Sequence, residues 1–243
     1  MIYISKTELC GKLFSTVWQE QKMYMEKLKD AKVLKAPIFA ISRLRMGTDG
    51  GGVTTLVTFM GCPLKCRYCI NPQCHKPVYQ SDGVTPAKGV MMLTPQELYD
   101  MVKRDDIYFQ ATGGGICFGG GEPTLYHEFI VEFKKLCAGR WKITVESCLR
   151  CPDNAIEHLA SVVDHWIVDV KSLDAAVYME YTGCATDELR SLLFLRQLVP
   201  QERVKVKIPQ IPGYNDDRDL ESDVMRIKEL GFDNVTPIQY IIK

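Results

Sequence analysis

The chain has 243 residues, and thirty basic side chains balance thirty acidic ones. This length suits a single α/β domain, since single barrels routinely reach about 250 residues. The balanced charge gives no indication of a nucleic-acid partner or of binding to an anionic membrane. No apolar run approaches the roughly 20 residues that span a bilayer, and the first residues do not resemble a signal peptide. Ten cysteines without an export signal predict a reducing, cytoplasmic and anaerobic setting.

Residues 1–36 are predicted to form an N-terminal helical extension, and residues 37–243 the main domain. Apolar residues recur at near-helical spacing from Leu9 to Leu28 among charged ones, which is typical of an amphipathic helix. Such a helix either packs on the domain body or docks a partner or a second copy. Ala36-Pro37 ends the extension, because the residue before a proline avoids helical conformation.

After the extension, short apolar runs alternate with amphipathic segments. The predicted strands are residues 53–60, 116–118, 142–146, 165–170, 204–208 and 235–241. The predicted helices start at residue 94 and cover residues 126–137, 152–159, 187–198 and 218–230. Thr94, Pro95 and Glu97 fit a capping box with proline at the first helical position. The alternation predicts an α/β fold, a partial (β/α)6 TIM-like barrel with an N-terminal helical extension.

Three cysteines lie close together directly after the first predicted strand. Cys62, Cys66 and Cys69 have the spacing Cys-x3-Cys-x2-Cys. Thiolates are the usual ligands of iron–sulfur clusters, and a group of three favours a four-iron cluster with one iron open to a small molecule. Zinc sites usually combine two Cys-x2-Cys pairs that are far apart in sequence, so zinc binding or simple burial is the weaker alternative.

With Tyr68 before the third thiol, these cysteines resemble the cluster motif of the radical S-adenosylmethionine (SAM) enzymes, Cys-x3-Cys-x-aromatic-Cys. The resemblance covers residues 45–240 and is nearest to the activating enzymes of glycyl radical enzymes, of the pyruvate formate-lyase activating type. It implies a 4Fe-4S cluster bound by Cys62, Cys66 and Cys69, with S-adenosyl-L-methionine as cosubstrate. It also implies reductive cleavage of SAM to a 5′-deoxyadenosyl radical that abstracts hydrogen from a substrate.

The resemblance extends to residues expected around the cosubstrate. Gly120-Gly121-Glu122 is similar to the Gly-Gly-Glu motif that holds the methionine end of SAM, and glycines let a backbone approach a ligand closely. Asp169 and Lys171 resemble the Asp-x-Lys pattern of activating enzymes, in which the lysine is expected to bind the SAM carboxylate. The other positions implied as cosubstrate contacts are Tyr68, Asn71, Lys207 and Gln239.

A monovalent cation is also implied. Glu146 and Ser147 end the third predicted strand, where activating enzymes carry an Asp-Thr pair. In those enzymes that pair and the strand-four Asp bind the cation, so Asp169 completes the expected site. Glutamate has a side chain one methylene longer than aspartate, which changes the geometry available to a cation here.

The implied substrate is a backbone glycine of a partner glycyl radical enzyme, with a flavodoxin- or ferredoxin-like protein as electron donor. One alternative is a radical SAM enzyme that modifies a peptide or a small molecule, with an auxiliary site around Cys148 and Cys151. A second alternative is a non-catalytic iron–sulfur or zinc binding module. The remaining thiols are otherwise expected to be buried, and the four histidines are too dispersed in sequence to predict a metal site.

Overall fold

The computed structural model describes residues 33–185, 188–211, 213–215 and 217–239. The strands are β1 (Ala36–Met46), β2 (Val53–Phe59), β3 (Met91–Leu93), β4 (Gly115–Gly120), β5 (Lys142–Ser147), β6 (His165–Asp169), β7 (Val204–Gln210) and β8 (Val235–Gln239). The helices are α1 (Pro95–Val102), α2 (Asp106–Thr112), α3 (His127–Cys137), α4 (Asp153–Ala160), α5 (Ala175–Thr182), α6 (Glu188–Leu198) and α7 (Asp217–Glu229). The helix predicted for the N-terminal extension lies outside the described residues.

The described strands form one sheet in the order β3-β1-β2-β4-β5-β6-β7-β8. Neighbouring strands from β2 to β8 in this order pair in parallel, whereas β1 pairs antiparallel with both β2 and β3. Helices cross over between the parallel strands, and the sheet stays open between β3 and β8. The predicted partial (β/α)6 barrel is therefore confirmed. None of the helices in the described part of the chain has the length and apolar character needed to cross a bilayer.

Side-chain caps fix the starts of α1 and α5. Thr94 Oγ1 accepts a hydrogen bond from the Glu97 backbone amide at 3.1 Å, and the Glu97 carboxylate accepts one from the Thr94 amide at 2.7 Å. This is the predicted capping box at the start of α1. Asp174 caps α5 in a similar way by accepting hydrogen bonds from the amides of Ala176 and Val177. Both interactions satisfy amides that have no partner within the helix.

Aromatic packing holds α3 against the first parallel strands. The Phe59 ring stacks on Phe118 and Tyr126, with centroids 5.5 Å and 4.7 Å apart, and Phe118 contacts Phe133 edge to face at 5.4 Å. These rings are fully buried, and burial of one such side chain contributes about 1.5–3 kcal/mol. The ends of β2 and β4, together with the loops that follow them, are therefore held by a rigid core.

Two strands and two helices were not predicted: β1, β3, α2 and α5. The alternation of β1 is broken by a register shift between Ser42 and Arg45, where Leu44 has a positive φ of 56°. Arg43, which lies in this irregular stretch, pairs with the fully buried Asp105. A tertiary contact therefore fixes the course of β1 here, which the local sequence pattern does not predict. β3 has three residues and is too short to show a period.

Candidate active site

A pocket with a cavity volume of about 130 Å³, partly open to solvent, lies at the carboxyl ends of β2, β4, β5 and β6. Chemistry in parallel α/β folds is usually located at this edge of the sheet. The predicted site residues that line it are Cys62, Cys66, Tyr68, Cys69, Asn71, Gly120, Gly121, Glu122, Glu146, Ser147, Asp169 and Lys171. Of the predicted set, Lys207 and Gln239 are not part of the lining.

The last turn of α5 positions the cysteine loop. The amide of Lys65 donates to the carbonyl of Thr182 at 3.1 Å, and the amide of Arg67 donates to the carbonyl of Tyr181 at 3.1 Å. Carbonyls at a helix end lack partners within the helix, so they are ready acceptors for another segment. Leu64, which lies between the first two thiols, is buried and packs with Tyr178 of the same helix. The three thiols are thus held by backbone contacts that are independent of any ligand.

The three thiols differ in their electrostatic surroundings. Burial raises the pKa of the Cys66 thiol to about 12, although the ammonium of Lys171 acts in the opposite direction. The pKa of Cys69 is lowered to about 4, chiefly by a hydrogen bond from the Cys74 thiol and further by His75. Thiolates are the form of cysteine that binds metals. The site therefore contains one thiol poised as a thiolate and one that needs a metal or cluster to displace its proton.

Cys74 and His75 were not predicted to belong to the site. The ligand atoms of Cys69, Cys74 and His75 lie within 4.8 Å of one another, in the short 3-10 helix Pro72–His75 and just before it. The four histidines are dispersed in sequence, and of these His75 contributes a ring nitrogen to this group. The sequence places Cys74 and His75 within six residues of Cys69, but only the turn through Pro72–His75 brings the three ligand atoms together.

The Gly-Gly-Glu segment lies directly against the start of the cysteine loop. The amide of Gly121 donates to the Phe59 carbonyl at 3.0 Å, and the amide of Glu122 donates to the Gly61 carbonyl at 2.8 Å. A Cβ on Gly121 would lie 2.0 Å from the Gly61 carbonyl oxygen, so this approach requires glycine. The Asn71 side-chain amide donates to the Gly120 carbonyl at 3.1 Å, which ties the far end of the cysteine loop to β4.

The Glu122 carboxylate joins the loops after β4 and β5. Its Oε1 accepts hydrogen bonds from the Thr124 amide at 3.1 Å, the Thr124 hydroxyl at 2.7 Å and the Ser147 hydroxyl at 2.7 Å. Its Oε2 accepts from the amide and the thiol of Cys148 at 2.9 Å and 3.0 Å. With only 1% of its surface exposed, Glu122 acts here as a structural bridge, and a direct contact of its side chain with SAM stays a prediction.

Two lysines and two carboxylates form ion pairs beside the thiols. Lys171 pairs with Asp169, and Lys207 on β7 pairs with Glu146 on β5 at 2.7 Å. Burial lowers the pKa of both lysines, but the neighbouring carboxylates outweigh it, so each pKa lies above the usual lysine value. Gln239 is exposed on β8, the strand at the far edge of the sheet, and its role as a SAM contact stays a prediction.

Cys148 and Cys151 lie in different environments. Cys148 lines the pocket and packs with Leu64 and Cys184, whereas Cys151 belongs to the main apolar core. Among the residues that the structure describes, these two thiols are not part of any group of three or more converging metal-ligand atoms. The auxiliary site proposed around them therefore gains no support from the described residues, and Cys148 instead forms part of the wall of the main pocket.

Comparison with known proteins identifies the family. A model of the Radical SAM superfamily matches residues 56–224. The chain belongs to the Radical SAM superfamily. It is 27% identical over 235 residues to the choline trimethylamine-lyase activating enzyme of Oleidesulfovibrio alaskensis, covering 76% of this chain and 75% of the relative. It is 34% identical over 135 residues to the pyruvate formate-lyase-activating enzyme of Clostridium pasteurianum, covering 56% and 52%.

Solved structures share the fold of this chain. The crystal structure of QueE from Escherichia coli aligns with a TM-score of 0.53 and 15% identity over 84% of each chain. The chain is accordingly a radical SAM enzyme whose relatives are activating enzymes, and its cofactors are a 4Fe-4S cluster and SAM. Three thiols line this pocket, and the lowered pKa of Cys69 favours its thiolate form, so the donor set is compatible with such a cluster.

Proposed function

We propose that this radical SAM enzyme activates a glycyl radical enzyme by abstracting an α-hydrogen from a backbone glycine of that partner. The observation that carries the proposal is the joint placement of the cysteine loop, the Gly-Gly-Glu segment and the Asp169–Lys171 pair in one pocket. Activating enzymes of several glycyl radical enzymes match about three quarters of the chain. A flavodoxin- or ferredoxin-like protein is the proposed electron donor.

In this proposal Cys62, Cys66 and Cys69 would hold the cluster. When bound and reduced, the cluster would supply the electron that cleaves SAM to methionine and a 5′-deoxyadenosyl radical, and that radical would take hydrogen from the substrate. The chain contributes position and shielding. The loop is pinned to α5 and β4 through Thr182 and Gly120, which fixes the thiols before any cofactor arrives.

The cosubstrate is oriented by the charged end of the pocket. The Lys171 ammonium is held charged beside Asp169 and faces the same pocket as the thiols, so it is placed to bind the SAM carboxylate. The SAM ammonium would lie near Gly120 and Gly121, where the absence of side chains allows close approach. Glu122 acts indirectly, by holding the loop after β5 in the position that completes the pocket wall.

The proposal is tested by following the transferred hydrogen. Choline trimethylamine-lyase, isethionate sulfite-lyase and pyruvate formate-lyase would each be prepared with α-deuterated glycine. Each would then be incubated anaerobically with the reconstituted, reduced enzyme and SAM. Activation predicts deuterium in 5′-deoxyadenosine by mass spectrometry, together with a glycyl radical in the electron paramagnetic resonance spectrum of the partner.

Two thiol variants control this experiment. Cys66→Ala removes a proposed cluster ligand and should abolish SAM cleavage and lower the iron content, since a cluster needs its thiolates. Cys137→Ala removes a fully buried thiol in the core at the end of α3, away from the pocket, and it should leave SAM cleavage and iron content unchanged. SAM cleavage without deuterium transfer from any of the three partners would reject glycyl radical activation, and retained cleavage by Cys66→Ala would reject the cluster assignment.

A further inference from the structure

The Glu146–Lys207 ion pair spans a strand. Glu146 ends β5 and is in register with Ile167 on β6, while Lys207 on β7 is in register with Asp169 on β6. The two side chains therefore meet across β6, with Nζ and Oε1 2.7 Å apart. They are 17% and 29% exposed, so the contact is partly shielded from water. Such shielding strengthens an ion pair relative to one on the open surface.

The length of Glu146 allows this contact. Related activating enzymes are expected to carry the shorter aspartate at this position, one methylene shorter than glutamate. In this chain the longer arm brings the carboxylate across β6 to an ammonium that itself does not line the pocket. Lys207 thus neutralises the carboxylate of Glu146, which does line the pocket.

Each residue expected to bind a monovalent cation already has another partner. Glu146 is paired with Lys207, and Asp169 is paired with Lys171. The Ser147 hydroxyl donates to Glu122 at 2.7 Å and accepts from the Leu149 amide at 2.8 Å. A cation would have to break both ion pairs and reorient the serine, so these residues do not fit the cation site that the family resemblance implies.

We infer that the Lys207 ammonium takes the place of the monovalent cation, so this enzyme binds SAM without Na⁺ or K⁺. Two fixed ammonium groups, those of Lys171 and Lys207, then balance the carboxylates of Asp169 and Glu146 near the proposed position of the SAM carboxylate. The inference rests on the proposed placement of SAM in this pocket, but not on the identity of the partner. Lys207 is accordingly a positioning residue, since it acts through Glu146.

The test is SAM affinity measured by calorimetry on the anaerobic, cluster-loaded enzyme. Titrations are run in NaCl, KCl and tetramethylammonium chloride at the same ionic strength, since tetramethylammonium is too large for a site shaped for Na⁺ or K⁺. The wild-type dissociation constant should agree in the three salts within about twofold, the scale of exposed charge effects. Stronger binding in NaCl or KCl than in tetramethylammonium, by about fivefold or more, would overturn the inference.

Variants at Lys207 make the test specific. Lys207→Met keeps the apolar stem and leaves Glu146 unpaired, so SAM binding in tetramethylammonium should weaken about tenfold and recover at least in part with Na⁺ or K⁺. Lys207→Arg keeps the charge and should remain independent of the salt. A Lys207→Met enzyme that stays equally insensitive to all three salts would overturn the inference. Iron per chain and a circular-dichroism melt establish that each variant is folded and loaded.

Discussion

The Cys148 thiol donates a hydrogen bond to the Glu122 carboxylate at 3.0 Å, joining two positions 26 residues apart in sequence. Cys148 directly follows β5, and Glu122 is the second residue after β4, so the contact joins the loops that follow two neighbouring strands. Glu122 is the last residue of the Gly-Gly-Glu motif, and sequence resemblance alone would assign its side chain to binding the cosubstrate. Its five hydrogen bonds within the chain make it a support of the pocket wall.

Removing this support should destabilise the protein. Glu122→Ala leaves buried donors on Thr124, Ser147 and Cys148 without an acceptor, which costs about 3 kcal/mol or more. Urea denaturation should show this loss in the free energy of unfolding. Glu157→Ala, at an exposed glutamate of α4, is the control and should change stability by less than about 0.5 kcal/mol. Equal small losses in the two variants would contradict a structural role for Glu122.

The approach of the two loops predicts a strict need for glycine at one position. Gly121→Ala would place a Cβ 2.0 Å from the Gly61 carbonyl oxygen, so the Gly-Gly-Glu segment must move away from the cysteine loop. We expect a loss of about 1–3 kcal/mol in stability and weaker SAM binding, since backbone shifts of this kind are costly. Gly51→Ala is the control, because a Cβ there contacts nothing within 4 Å and φ is not positive. Unchanged SAM affinity in Gly121→Ala would contradict this reading of the loop contact.

Most of the parallel sheet could be predicted because short runs rich in apolar and β-branched residues alternate along the chain with segments of helical periodicity. The strands over residues 142–147 and 204–210 were placed to within two residues, as was the helix start at Thr94. β1 escaped prediction because its bulge and its Arg43–Asp105 pair are tertiary features. α5 escaped because its apolar residues do not follow one face, and it is fixed instead by the Asp174 cap and by contacts with the cysteine loop.

The site could be predicted as a set of residues, but their partners could not. Twelve of the proposed positions line one pocket because they end neighbouring parallel strands, which places them at one edge of the sheet. Spacing does not show that Glu146 reaches across β6 to Lys207, since that depends on strand order and side-chain length. The role of Cys74 was equally hidden, because it depends on the turn that brings this thiol back to Cys69.

Acidification should weaken the bridge that Asp164 forms between α3 and β5, where its carboxylate accepts hydrogen bonds from Lys134 and from the Ile143 amide. Burial raises the pKa of Asp164, but Lys134, the Ile143 amide and Lys142 outweigh it, so the folded-state pKa lies below the usual value. The ionised Asp164 carboxylate therefore stabilises the folded state. This contribution is fully present above the unfolded-state pKa of about 3.9 and is lost as pH falls through the lower folded-state pKa. Asp164→Asn should lower stability at pH 7 and reduce the acid dependence in urea denaturation, whereas Glu157→Gln should follow the wild type. An Asp164→Asn profile parallel to the wild-type one would contradict this account.

Lys171 should act on SAM and not on the cluster. Its side chain is 15% exposed, pairs with Asp169 and lines the pocket, so Lys171→Ala removes the ammonium proposed to bind the SAM carboxylate. We expect SAM affinity to fall by about tenfold or more, the scale of a charge-assisted hydrogen bond, with iron per chain unchanged. Lys65→Ala removes an exposed lysine from the cysteine loop and should leave SAM affinity as in the wild type. Calorimetry and iron analysis on the same samples separate the two effects, and a parallel loss of iron in Lys171→Ala would show that Lys171 supports the cysteine loop instead.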